Sequence, residues 1–313
     1  MRAKAGKGRR DGVGIWCLSV LSRVSPRVSP EFPRVSPPSF PPGRETIHLD
    51  VGVHASRFRV GSVGFLNPVP LVWGMLHGPQ KELVDLSFSL PSVCSQQLET
   101  GEIEVGLVPV AEIARQGLEI VPGVGITCFG PVRSILLVSK VPVRQIKVLA
   151  GDSSSRTSVE LVRVILRERY GCEPRMVRHT PVLDEMLAEA DAAVIIGDPA
   201  LHIDPATVGY ECLDLGEEWR LLTGLPMVFA AWAAKPGLPF GQLEQITRGS
   251  YEYGAARIDE IVESEHRKRG IAKELADRYL RQHIRYKLGK MELQGLEAFL
   301  AFAGLPRPVG AKS

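Results

Sequence analysis

The chain has 313 residues, a formal net charge of +3, 44% hydrophobic residues and 23% charged residues. This length allows one large or two medium domains, and the composition is typical of a globular protein. The small net charge does not indicate a nucleic-acid or acidic-membrane partner, and the longest apolar run, 225–234, is too short to cross a bilayer.

The cysteines indicate the compartment. Five of them are dispersed along the chain without a C-x-x-C pair: Cys17, Cys94, Cys128, Cys172 and Cys212. An odd, scattered set predicts free thiols in a reducing compartment, so a cytoplasmic location is expected. No His and Cys cluster has the spacing of metal ligands, so no metal is expected.

Residues 1–57 are predicted to lie outside the fold. Near-copies of an Arg-Val-Ser-Pro unit stand at 23–26, 27–30 and 34–37, within a tract rich in Pro and Ser. Such a composition cannot build a hydrophobic core. The segment is interpreted as a disordered arm, or as the product of a start codon assigned too early.

Strands and helices alternate from Phe58 onward. The predicted elements are a strand over 58–65, a helix from Pro70, a strand over 84–90, a helix over 92–100, a strand over 103–110 and a helix from Ala111. This β-α-β-α-β order predicts a parallel sheet with crossover helices.

A second β-α-β set lies between two similar segments, 130–140 and 224–235, each with Gly, Pro, an apolar strand and Lys. The set has strands over 146–150, 174–178 and 192–197 and helices over 157–170 and 181–190. Only helices are predicted afterwards, at roughly 239–254, 256–268, 271–288 and 290–303. The chain is therefore predicted to form one lobe from 58–140 and 224–313 and another from 141–223, with a cleft and a hinge between them.

The stretch 149–158 predicts an anion site. It ends an apolar strand, opens a helix and carries five hydroxyl groups. Free backbone N–H groups, the positive end of the helix dipole and short donors converge at such a point. An ordinary N-cap by Ser153, Ser154 or Ser155 is the alternative, although one cap needs only one hydroxyl.

Six segments in order resemble a known family. They are 59–71, 106–112, 130–135, 152–158, 196–201, and 214–219 with 223–226. Over roughly 58–305 the chain resembles the menaquinone-biosynthesis enzymes with the type II periplasmic-binding-protein fold, and within them the branch that dehydrates chorismate. The resemblance implies a two-lobed α/β fold with a mostly parallel sheet in each lobe and C-terminal helices. It also implies dehydration of chorismate to 3-(1-carboxyvinyloxy)benzoate, the first step of the futalosine route, without metal or cofactor.

The family's functional Asn and active-site Ser fall on Asn67 and Ser134, so the resemblance implies that these two are catalytic. Asn67 follows the first strand, where open α/β sheets bind ligands, although an Asx turn before Pro68 is the alternative. Ser134 opens a connecting strand and is expected to bind substrate or relay a proton. No His and Asp partner set indicates a nucleophile.

The remaining candidates are expected to bind substrate: Ser154, Ser155, Arg156, Thr157, Ser158 and Asp198. Thr157 and the Ser158 backbone N–H are the strongest carboxylate ligands in this set. Arg156 is expected to pair with a second carboxylate, or alternatively with Glu160 on the helix surface. Asp198 is expected to face the ligand, or alternatively to cap the next turn.

Two other functions stay open at this point. One is a solute-binding protein for small carboxylates without chemistry, since the same fold serves both purposes. The other is the sister enzyme that makes 1,4-dihydroxy-6-naphthoate, although its Ser-, Cys- and Asp-rich first-strand motif is absent from 62–71. Chorismate is the expected partner, a homodimer is allowed for, and neither nucleic acid nor membrane is expected.

Overall fold

The computed structural model describes residues 57–152 and 156–308, which form two β-sheets with helices packed around them. Nearly all of the predicted N-terminal arm therefore lies outside the described residues. The prediction of an α/β protein with two sheet-forming segments is confirmed. Within the described ranges, no helix is both long enough and apolar enough to cross a membrane.

The strands in chain order are β1 (Phe58–Val63), β2 (Val84–Ser89), β3 (Val105–Pro109), β4 (Glu119–Cys128), β5 (Ile135–Ser139), β6 (Val148–Asp152), β7 (Arg175–His179), β8 (Ala192–Ile196), β9 (Glu211–Asp214), β10 (Met227–Ala234) and β11 (Arg285–Leu288). The α-helices are α1 (Val69–His77), α2 (Pro91–Thr100), α3 (Val110–Gln116), α4 (Arg156–Ile165), α5 (Leu183–Glu189), α6 (Asp198–Leu201), α7 (Leu215–Thr223), α8 (Phe240–Ala255), α9 (Ile258–Lys268), α10 (Lys273–Arg278) and α11 (Lys290–Phe302). Short 3-10 turns occupy Pro79–Leu83 and Val143–Gln145, and π-helical turns extend α4 and α10 over Leu166–Tyr170 and Tyr279–His283.

The first sheet has the strand order β11-β4-β10-β3-β1-β2. Strand β1 pairs in parallel with β2 and β3, because α1 and α2 return the chain across the sheet between successive strands. The pairs made by β10 and β11 are antiparallel. The predicted β-α-β-α-β unit is thus present, but the sheet as a whole is mixed rather than mostly parallel.

The second sheet has the order β7-β6-β8-β5-β9 and is mixed as well. Strand β6 lies in parallel between β7 and β8, whereas β5 pairs antiparallel with β8 and β9. This pairing corrects the lobe boundary predicted at residue 140, because β5 belongs to the second sheet. A short apolar strand has no local feature that selects one sheet over another. The rest of the lobe division stays a prediction.

The C-terminal segment corrects a second expectation. Within the predicted helix 271–288, residues Arg285–Leu288 form β11, which pairs antiparallel with β4 at the edge of the first sheet. The strand has four residues, a length at which periodicity does not separate strand from helix.

Helices α1 and α8 pack so closely that glycine is required at their crossing. A β-carbon at Gly74 would lie 2.5 Å from the Ser250 Cα and 3.0 Å from the Ser250 carbonyl oxygen. The Ser250 hydroxyl accepts a hydrogen bond from the Met75 backbone N–H at 3.0 Å. This contact fixes α1, and with it the loop that joins α1 to β1.

Replacement of Gly74 by alanine is therefore expected to destabilise the protein. Overpacking against backbone lowers the free energy of unfolding by about 2 kcal/mol, which outweighs a helix-propensity gain of about 1 kcal/mol. Gly241→Ala in α8 is the matched control, because a β-carbon there meets nothing within 4 Å. Urea unfolding of both variants measures the difference, and equal midpoints would contradict the close packing.

Candidate active site

A cavity lies between the two sheets and is open to solvent. Its walls are mostly apolar and come from both sheets: Leu107, Pro109, Ile126, Ile135, Ile196 and Phe229. Its polar groups are Asn67, Ser134, Thr157 and Ser158, all of which are predicted site residues. Among the described lining residues there is no Asp, Glu, His, Lys or Arg. The cavity therefore offers neutral hydrogen-bonding groups in an apolar surround, as small-molecule sites commonly do.

Asn67 lies in the loop between β1 and α1 and lines the cavity. Its Oδ1 is buried and has no hydrogen-bond partner among the described residues. The Asn67 side chain lies close enough to the Tyr279 hydroxyl to influence its pKa, although burial is the larger cause there. The Asx-turn alternative would need the Val69 N–H, which donates instead to the Leu66 carbonyl oxygen at 3.2 Å. The Asn67 oxygen is thus left available to a molecule in the cavity.

Ser134 lies immediately before β5 and is 1% exposed. Its Oγ accepts a hydrogen bond from the Tyr279 hydroxyl at 2.8 Å, and its carbonyl oxygen accepts one from the Gly197 N–H at 2.8 Å. The serine is therefore held through both its side chain and its backbone.

Asp214 fixes the loop that leads to Ser134. Its carboxylate accepts hydrogen bonds from the Val132 N–H at 2.9 Å and the Arg133 N–H at 2.6 Å. It also accepts from Gly216 and Glu217 and so caps α7. Burial raises the pKa of the Asp214 carboxyl, against the effect of these four N–H groups. One buried carboxylate thus joins the Ser134 loop to the start of a helix.

Arg133 has a left-handed backbone, with φ of 65°. Its guanidinium group turns away from the cavity and donates to carbonyl oxygens at the end of α6, including Ala200 at 2.9 Å. Strained backbone next to a functional residue persists only where the surroundings hold it, which the Asp214 carboxylate and these carbonyl groups do here.

Thr157 and Ser158 lie in the first turn of α4 and are 2% and 3% exposed. The Thr157 hydroxyl accepts a hydrogen bond at 3.2 Å from the Ala111 N–H, in the first turn of α3. That N–H has no partner within its own helix, so its hydrogen bond is provided by Thr157 of α4, the helix that follows β6. Ser154 and Ser155 lie outside the described residues, and their predicted role stays a prediction.

Arg156 is directed away from the cavity. It forms an ion pair with Glu112 at 3.3 Å, and half of its side chain is exposed. The alternative pairing with Glu160 is wrong, because Glu160 pairs with Arg115 and Arg163 instead. The expected pairing of Arg156 with a substrate carboxylate stays a prediction.

The capping alternative for Asp198 is wrong, and its ligand role stays a prediction. Asp198 opens α6 but makes no capping hydrogen bond there. Its carboxylate accepts from the Leu66 N–H at 2.9 Å and pairs with Arg269, which also donates to the Gly64 carbonyl oxygen at 2.7 Å. Asp198 is not among the described residues that line the cavity. It therefore joins the end of β8 to the loop that carries Asn67.

Tyr279 is the site residue that the sequence did not reveal. It lies in the π-helical turn after α10, is 1% exposed, and donates a hydrogen bond from its hydroxyl to Ser134. Burial raises the pKa of this hydroxyl well above its ordinary value, so the group stays protonated. A tyrosine on the apolar face of a predicted helix carries no local signal of such a contact.

The described residues contain no group of three or more His, Cys, Asp or Glu side chains placed to hold a metal ion.

Comparisons with solved structures establish the class of fold. The alkanesulfonate-binding protein of Xanthomonas axonopodis, bound to MOPS, matches with a TM-score of 0.57 at 16% identity, over 82% of this chain and 96% of that one. A protein from Archaeoglobus fulgidus matches with a TM-score of 0.66 at 17% identity, over 80% and 98% of the two chains. The chain therefore has the periplasmic-binding-protein fold, as predicted.

Sequence comparison then identifies the family. The model of the menaquinone biosynthesis family matches residues 58–304, so this chain belongs to that family. Chorismate dehydratase from Thermus thermophilus is 30% identical over 236 residues, which cover 70% of this chain and 86% of that protein. The predicted resemblance is confirmed.

Phe65 packs against Gly197 across the cavity wall, and both line the cavity. A β-carbon at 197 would lie 2.9 Å from three ring carbons of Phe65, and the backbone φ of 65° favours glycine independently. This contact brings the end of β8 against the loop after β1.

Gly197→Ala is expected to displace Phe65 from the cavity wall. Gly209→Ala is the control, because Gly209 has φ of 77° and open space around its β-position. The control reports left-handed strain alone, about 1 kcal/mol, and Gly197→Ala is expected to lose about 1–3 kcal/mol more through overpacking. Denaturant unfolding measures both, and equal losses would show that the ring does not confine residue 197.

Proposed function

We propose that this chain dehydrates chorismate to 3-(1-carboxyvinyloxy)benzoate, the first step of the futalosine route to menaquinone. The observation that carries the proposal is an apolar cavity whose polar groups are hydroxyls and an amide, in a member of the menaquinone biosynthesis family. The similarity to the Thermus thermophilus enzyme supports the same reaction.

The reaction removes one water from the substrate. The bond between C4 and its hydroxyl breaks, the C3 proton leaves, and the ring becomes aromatic. No electrons are gained or lost overall, so no redox cofactor is required. Aromatisation supplies much of the driving force, and the protein has to hold the ring and stabilise the charge that develops as the hydroxyl departs.

The cavity is suited to this substrate in two respects. Its apolar walls, which include Leu107, Ile126 and Phe229, fit the faces of a six-membered ring. Its hydroxyl groups can donate hydrogen bonds to the substrate carboxylates. The N-terminal end of α4 also stabilises their negative charge. Neutral donors in a partly dehydrated site bind an anion without an opposing charge that itself has to be desolvated.

We assign the catalytic roles to Ser134 and Asn67. A hydroxyl has one proton and two lone pairs, and Ser134 already accepts from Tyr279. Its own proton is therefore available to the leaving hydroxyl or to a substrate carboxylate. The unpartnered Oδ1 of Asn67 accepts from a hydroxyl of the substrate, and so holds the ring in register with Ser134.

We assign carboxylate binding to Thr157 and Ser158. Thr157 accepts from Ala111, so its proton is available in the same way as that of Ser134. Arg156 and Asp198 form ion pairs with protein side chains, and their ligand role stays a prediction. Chorismate is the one partner this assignment needs. The dispersed cysteines favour a cytoplasmic enzyme, and a homodimer is compatible with it.

Purified protein is expected to convert chorismate without any added cofactor. The product absorbs in the ultraviolet as a substituted benzoate and is lighter than chorismate by one water, so absorbance and mass spectrometry detect it together. Heat-denatured protein is the control for spontaneous decay. Chorismate that binds in calorimetry but stays unchanged would instead favour the solute-binding function.

Ser134→Ala and Asn67→Ala are each expected to lower kcat by roughly a hundredfold, the loss typical of removing one donor or acceptor that serves the transition state. Ser139→Ala is the matched control, because Ser139 is a buried serine of β5 whose hydroxyl donates to the Val141 carbonyl oxygen. Circular dichroism checks that all three variants fold. Full activity in both site variants would move the reaction elsewhere.

A further inference from the structure

The Tyr279 hydroxyl binds Ser134, one of the two proposed catalytic residues. Ser134 precedes β5 in the second sheet, and Tyr279 approaches it from the turn after α10. The two hydroxyl oxygens lie 2.8 Å apart. Tyr279 does not belong to the described cavity lining, so it acts from behind the site rather than on the ligand.

The hydrogen bond between the two hydroxyls has a direction. Tyr279 gives its proton to Ser134 Oγ at 2.8 Å. Ser134, whose oxygen already accepts, has its own proton left for the cavity that it lines.

A second buried tyrosine shows that this arrangement is particular to Tyr279. Tyr286 is also buried, at 5% exposure, but its hydroxyl has no hydrogen-bond partner among the described residues. Its ring packs on Tyr251 with the centroids 5.2 Å apart. Burial of a tyrosine in this part of the core therefore does not by itself provide a partner for the hydroxyl.

We propose that Tyr279 is a positioning residue for the dehydration: its hydroxyl holds Ser134 in the one rotamer whose proton faces the cavity. This catalytic role rests on the proposed function, the dehydration of chorismate. It follows that the hydroxyl of Tyr279, and not its ring, contributes to turnover, and that it does so through Ser134.

Four proteins test this: Tyr279→Phe, Tyr286→Phe, Ser134→Ala and the double variant of Tyr279→Phe with Ser134→Ala. Tyr279→Phe is expected to lower kcat about tenfold with KM nearly unchanged, because one hydrogen bond is lost while the cavity wall stays. Tyr286→Phe is expected to match the unmodified protein. Added to Ser134→Ala, the Tyr279→Phe change is expected to lower kcat by no more than about twofold.

Normal kcat in Tyr279→Phe would overturn the proposal. So would the same tenfold loss in both backgrounds, since a general structural defect adds to Ser134→Ala whereas a positioning effect does not. Crystal structures of the unmodified protein and Tyr279→Phe give a readout independent of the reaction. Ser134 is expected to occupy more than one rotamer in the variant, and a single unchanged rotamer would overturn positioning even if chorismate proved not to be the substrate.

Discussion

Two hydrogen bonds near the cavity join segments that follow strands of the first sheet to segments that follow strands of the second. The Ala111 N–H donates to Thr157, and the Leu66 N–H donates to Asp198. Each acceptor satisfies a backbone group that would otherwise be left without a partner in a partly buried position, which is costly. The two sheets therefore meet through specific atoms, and the polar lining of the cavity is positioned by the same residues that join them.

Charged side chains and the polar groups of the cavity lie in different places. The ion pairs of Arg156 with Glu112 and of Arg269 with Asp198 involve helix and loop residues outside the described cavity lining, while neutral donors line its interior. The half-exposed Arg156 pair contributes little to stability on its own, about 0–1 kcal/mol. The groups that line the cavity are hydroxyls and an amide, which discriminate between ligands by direction rather than by net charge.

The sequence predicted what local pattern can encode. Apolar periodicity predicted the β-α-β units. The hydroxyl-rich helix start pointed to Thr157, which lines the cavity. Pattern could not decide which sheet β5 joins, since both offered an apolar neighbour. The contact of Asp198 with Arg269 could not be predicted, because the two residues are 71 positions apart in sequence. Tyr279 was missed for the same reason: its contact with Ser134 spans 145 residues and depends on a π-helical turn that no periodicity indicates.

The fold is shared with proteins whose names describe only binding, such as the alkanesulfonate-binding protein. Binding an anion requires donors that match the ground state, whereas catalysis requires donors fixed where charge develops later. A hydroxyl free to rotate serves the first purpose, because it adapts to whatever ligand arrives. Ser134 and Thr157 instead each accept a bond from the protein, which commits their protons in advance. In Ser134 the bond that restricts the hydroxyl comes from Tyr279, which is itself buried behind the cavity wall.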